Sequence, residues 1–149
     1  MKKYELTEET VTVYGKTLYR IRAVRDFGSV KTGEFGGYIE KEENLSHFGN
    51  AWISGDAWVY GNAWVYGNAE VFNTRHFFVQ GPIGSRDGYV TFYRTKDDTI
   101  GVRCGCFSGS LQKFVDRVEE THGGSRYEKE YKIAAELAKV CIRLEGESR

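Results

Sequence analysis

The sequence predicts a mainly β chain with helices at its C-terminal end. Three observations carry this. Residues 50–72 repeat every six positions, residues 4–25 alternate apolar and polar side chains around one glycine turn, and only residues beyond 110 show helical spacing.

The repeat sets the frame. Ala51, Ala57, Ala63 and Ala69 hold one position, and Ile53, Val59, Val65 and Val71 hold the position two residues on. Gly49, Gly55, Gly61 and Gly67 precede Asn50, Asp56, Asn62 and Asn68. In extended backbone the Ala and Val point to one side and the intervening Trp to the other. Glycine followed by Asn or Asp supplies a turn. A short strand and a sharp turn every six residues describe one side of a left-handed parallel β-helix, with Ala, Ile and Val filling a narrow interior. Short hairpins fit less well, because they need longer strands.

The chain has 149 residues, and its 21 Lys+Arg balance 21 Asp+Glu. Zero formal charge argues against a duplex nucleic-acid binder but leaves room for a local basic pocket. No stretch has the length and apolarity of a membrane span, and the start Met1-Lys2-Lys3 lacks the apolar run of a signal peptide. Cys104, Cys106 and Cys141 form no disulfide framework, which points to a reducing cytoplasm.

In chain order, Val11 and Val13, then Gly15-Lys16, then Leu18, Ile21 and Ala23 predict a β-hairpin, with Arg20 and Arg22 on a solvated face. Val30, Phe35, Ile39 and Leu45 recur at five to six residues and read as an irregular first coil. The single proline, Pro82, places a boundary between residues 1–80 (hairpin plus β-helix) and residues 81–149. That second part reads as a ββαα module. Two strands run through Tyr89 to Arg94 and Ile100 to Cys104. A helix follows from about Leu111 to His122, with Ser110 as its cap. The second helix starts at a Ser125/Glu128 capping box and buries Ile133, Leu137, Val140, Cys141 and Leu144.

A β-helix this short buries little core and leaves aromatics outside. Trp52, Trp58, Trp64, Tyr60 and Tyr66 are therefore expected at a homo-oligomer interface, with a trimer favoured.

The glycine-asparagine repeats resemble the left-handed β-helix repeats of bacteriophage and prophage proteins. Four segments resemble a C-terminal module found on such proteins: Gly81-Pro82-Ile83-Gly84-Ser85-Arg86, Gly105-Cys106-Phe107-Ser108-Gly109-Ser110-Leu111, Glu120-Thr121-His122-Gly123 and Glu130-Tyr131. The resemblance implies a phage origin. By analogy it suggests a cytoplasmic inhibitor of a host antiviral system, acting by sequestering a small signalling nucleotide or by masking a defence protein.

For ligand chemistry the residues themselves point to Ser85, Arg86, Arg103, Phe107, Ser108 and His122. Glycine-rich loops offer N–H groups, Arg offers a fork for phosphate, and a helix N-terminus favours an anion. A hexapeptide-repeat acyltransferase would need a histidine base, from His47, His76 or His122, and none lies on a long loop. A structural phage assembly protein is the other alternative. Cys104, Cys106 and His122 lack usual zinc spacing, so no metal, cofactor or catalytic residue is assigned.

Overall fold

The computed structural model describes residues 2–146. Strands β1 (Tyr4–Val13) and β2 (Lys16–Ala23) form an antiparallel hairpin. Its two-residue turn is Tyr14-Gly15, one residue earlier than the glycine suggested. Both have positive φ (50° and 78°), the geometry that matches strand twist. Strand β3 (Phe35–Ile39) pairs antiparallel with β2. Arg20 is not simply solvated. Its guanidinium bonds the Gly36 carbonyl, the Tyr38 hydroxyl, Glu9 and Asp56.

The hexapeptide units form β4 (Trp52–Ile53), β5 (Trp58–Val59) and β6 (Glu70–Val71). Their Ala, Ile and Val side chains all point inward and are at most 2% exposed. The pairings, however, do not build a left-handed parallel β-helix. Strand β4 pairs with β6, β5 pairs with β3, and Val65 makes one bridge to Leu45. Each unit thus contributes at most two residues to parallel pairing. The neighbour that extends β5 is the antiparallel sheet β1-β2-β3, giving a mixed four-stranded sheet. Too few units follow one another for a regular parallel ladder, so the hairpin and the C-terminal sheet supply the remaining partners. The expected β-helix is corrected to several antiparallel and mixed sheets.

The expected ββαα unit gains a strand over Phe107–Ser110, and the strand expected at His76–Val79 runs on to Ile83 and joins the same sheet. Strands β7 (Phe77–Ile83), β8 (Gly88–Arg94), β9 (Ile100–Cys104) and β10 (Phe107–Ser110) make an antiparallel sheet in the order β10-β9-β8-β7. Pro82 lies inside β7. Helix α1 (Leu111–His122) starts where expected, with Ser110 Oγ accepting from the Lys113 N–H at 3.2 Å. Helix α2 (Arg126–Cys141) starts differently. Glu128 accepts from the Gly124 N–H, and the Ser125 hydroxyl turns back to the His122 carbonyl, so no capping box forms.

The buried stripe of α2 is also corrected. Ala134, Ala135 and Ala138 face the core, with Ile142 just beyond the helix. Ile133 and Val140 are 68% and 67% exposed, and Leu137 is 43% exposed. Small side chains let α2 lie close to β7 and α1. The larger apolar residues at helical spacing then fall on the outer face.

Two apolar clusters result. One joins the hairpin, the repeat and Tyr93, and the other joins β8, β9, α1 and α2 around Phe92, Val102, Phe114 and Ala138. The Trp64 N–H donates to Thr91 Oγ at 2.9 Å, and the Lys96 N–H to the Asn68 carbonyl. Arg94, 4% exposed, bonds Glu70, Asp98 and Glu145 from one guanidinium.

His76 is buried against Phe72, and its Nδ1 accepts the Phe72 N–H at 3.1 Å. Burial holds its pKa below the ordinary 6.5, with the Arg94 charge acting the same way. Below about pH 6.5 the unfolded chain therefore takes up this proton more readily than the folded one. The stability it lends is present above that pH and is lost as pH falls through the depressed folded value. Thermal melts from pH 7 to pH 5 should show a falling midpoint, and His76→Gln should flatten that slope. An unchanged slope would rule out His76 as its source.

Candidate functional site

A cavity of about 540 Å³ opens beside the β9–β10 turn. The segments 81–86, 105–111 and 120–123 each contribute to its wall. Ile83, Ser85 and Arg86 come from the β7–β8 connection, Gly105, Cys106 and Phe107 from the β9–β10 turn, and Thr121 and His122 from the end of α1. From α2, in the fourth segment, Tyr131 joins them, while Glu130 accepts the Gly84 N–H at 2.7 Å. Four segments far apart in sequence thus meet at one place.

The local geometry explains why. Gly84 has φ of +82°, and a Cβ there would lie 1.9 Å from the Tyr131 hydroxyl oxygen. The loop therefore needs glycine twice over, for its backbone and for the tyrosine above it. Tyr131 packs edge-on to Phe114 and lies against His122, with ring centroids 5.6 Å apart. Tyr131 shares this wall with the Cys104 thiol. Burial pushes the pKa of both groups up. Cys104 is thereby held as a neutral thiol, which is a poor nucleophile.

Charge is distributed unevenly here. Arg86, Arg103 and Arg117 all line the cavity, and none of its described lining residues is Asp or Glu. The Arg103 guanidinium lies over the rings of Trp64 (4.1 Å) and Tyr66 (4.4 Å). Its Nε is buried without a hydrogen-bond partner. Arg117 lies over Phe107 at 5.5 Å. Among the described residues, none of the three guanidiniums has an ion-pair or hydrogen-bond partner. Trp64, Tyr89, Phe107, Phe114 and Tyr131 provide aromatic walls.

Of the six residues proposed from sequence, Ser85, Arg86, Arg103, Phe107 and His122 line this cavity. Ser108 does not. It lies opposite Arg103 in the β-sheet register and lines an adjoining depression of about 390 Å³ with Lys113, Asp116 and Glu120. Sequence reading missed Arg117, Tyr131 and Trp64 as wall residues. Arg117 had a usable signal, because Phe114, Arg117, Val118 and Thr121 follow helical spacing along one side of α1. Trp64 had none, since the repeat gives no hint of the docking sheet.

The five aromatics expected at an oligomer interface contact elements of this same chain. Trp52 is 6% exposed and packs on Tyr4 and Phe27. Trp58 and Tyr60 pack against Val13, Leu18 and Tyr38. Trp64, 39% exposed, and Tyr66 hold Arg103.

The other histidines are engaged in packing. His47 stacks on Tyr4 at 4.1 Å, accepts the Lys3 N–H and bonds Glu42. Among the described residues, no group of three or more His, Cys, Asp and Glu is placed to hold a metal ion, although Cys104, Cys106 and His122 share the cavity. No described helix is long and apolar enough to cross a membrane. A scan against protein-family models finds no match, and a search of curated proteins finds none.

Proposed function

We propose that this protein is a non-enzymatic binding protein that captures a small anionic molecule bearing a flat ring, of the nucleotide class, in the cavity beside the β9–β10 turn. One observation carries the reading. Three arginines without carboxylate partners face a cavity walled by aromatic rings, in a chain whose total charge is zero. Guanidinium forks pair with phosphate, and aromatic faces stack on bases. The resemblance to phage repeat proteins supplies the setting. There, holding a signalling nucleotide inside the bacterial cytoplasm would blunt a host antiviral response.

The test is calorimetric titration with a panel of nucleotides, followed by chromatography of the recovered ligand. A bound nucleotide returned intact is expected. Arg103→Gln should weaken binding roughly 10- to 100-fold, the worth of one hydrogen bond to a charged group. No binding across the panel, or a chemically altered ligand, would defeat capture.

A second reading, the masking of a partner protein, draws on the outward apolar stripe Ile133, Leu137 and Val140 of α2. The same stripe is where self-association, a trimer in this reading, is sought by light scattering. Scattering that returns a monomer for both the parent chain and Leu137→Asp removes self-association.

A further inference from the structure

We infer that the cavity selects a nucleotide whose phosphates are metal-free phosphodiesters, and rejects the Mg²⁺ complex of a nucleoside triphosphate. This deepens the capture reading and rests on it.

The reasoning starts from what each ligand needs. A triphosphate in the cell carries Mg²⁺, and proteins that hold such a complex supply one or two carboxylates to the metal, which keeps several waters. The described cavity wall has no carboxylate to give. Its thiols, Cys104 and Cys106, are soft donors and do not suit a hard cation. Its charges are the guanidiniums of Arg86, Arg103 and Arg117, which repel a divalent cation and neutralise phosphate directly. A phosphodiester carries one charge and chelates Mg²⁺ weakly, so it arrives without a metal. Two such groups on one ligand match three guanidiniums better than a single one.

Carboxylates do exist next door. Asp116 and Glu120 line the adjoining depression, which shares Cys106, Phe107 and Arg117 with the cavity. Asp116 already accepts from the Gln112 amide at 2.9 Å. Glu120 is thus the residue through which a metal-bound ligand could be held after all, and it enters the test.

The experiment titrates the full chain with cyclic di-AMP and with ATP, each in EDTA and in excess MgCl2. Cyclic di-AMP affinity should agree within about twofold between the two buffers, while ATP affinity should fall about tenfold or more when Mg²⁺ is added. ATP binding that is unchanged or strengthened by Mg²⁺ overturns the inference and leaves capture standing. Loss of such binding in Glu120→Gln would then locate the metal. ATP binding without any cyclic di-AMP binding overturns the phosphodiester assignment. If neither nucleotide binds in either buffer, the inference falls, and if the rest of the panel also fails, capture falls with it.

Discussion

Gly84→Ala should unfold or strongly loosen the C-terminal part, at a cost of about 3 kcal/mol or more. Two effects add at this position. A left-handed backbone costs a side chain roughly 1–2 kcal/mol, and overpacking of a filled site costs roughly 1–3 kcal/mol. The backbone has φ of +82°, and the new methyl would fall 1.9 Å from the Tyr131 hydroxyl oxygen and 2.5 Å from the ring carbon bearing it. The loop must then move, which breaks the 2.7 Å bond from the Gly84 N–H to Glu130. Chemical denaturation should show the lower midpoint. The double variant Gly84→Ala/Tyr131→Phe isolates the hydroxyl contact, because it relieves that contact and leaves both the ring-carbon contact and the backbone strain. Partial recovery is expected. Equal losses in the single and double variants would mean that the Tyr131 hydroxyl does not press on this loop.

Arg94→Met should cost about 1–3 kcal/mol, the worth of hydrogen bonds to charged groups, because the carboxylates left behind reach solvent. The side chain is 5% exposed and holds the Glu70 carbonyl, Asp98 and Glu145, so it joins the repeat to the chain beyond α2. It also lies over Phe72 at 5.0 Å. Methionine keeps much of that packing and removes the charge, which isolates the electrostatic part. Melting in high salt checks the assignment. The variant should be less salt-sensitive than the parent, and a parent with no greater salt response would refute a charge-based role.

The same features show what the sequence could convey. Period-two alternation in residues 50–72 correctly marked which side chains face inward, because that depends on neighbours along the chain. The partner of each short strand depends on elements elsewhere. Strand β5 ends beside β3 and the hairpin, and the regular coil expected from the repeat does not form. In α2 the spacing of large apolar residues pointed to the wrong face. Three alanines permit a closer approach than Ile133, Leu137 and Val140 would, and alanines give a weak hydrophobic signal. At the cavity, residue chemistry was legible for Arg86, Arg103 and His122. Tyr131 was visible only as part of a motif, and its reason, the space above Gly84, exists only in three dimensions.

The stacking of Arg103 on Trp64 has an optical consequence. The chain has three tryptophans, and their surroundings differ. Trp52 is sealed beneath Tyr4 and Phe27, and Trp58 is packed beside the hairpin. Trp64 stands at the cavity wall with a cationic guanidinium against its ring. Its emission is therefore the one that responds when an anion draws that guanidinium away or rings crowd the indole. In a Trp58→Phe background, the change in emission on filling the cavity reads out Trp64 over a silent Trp52. The protein thus carries its own fluorophore for following occupancy in real time.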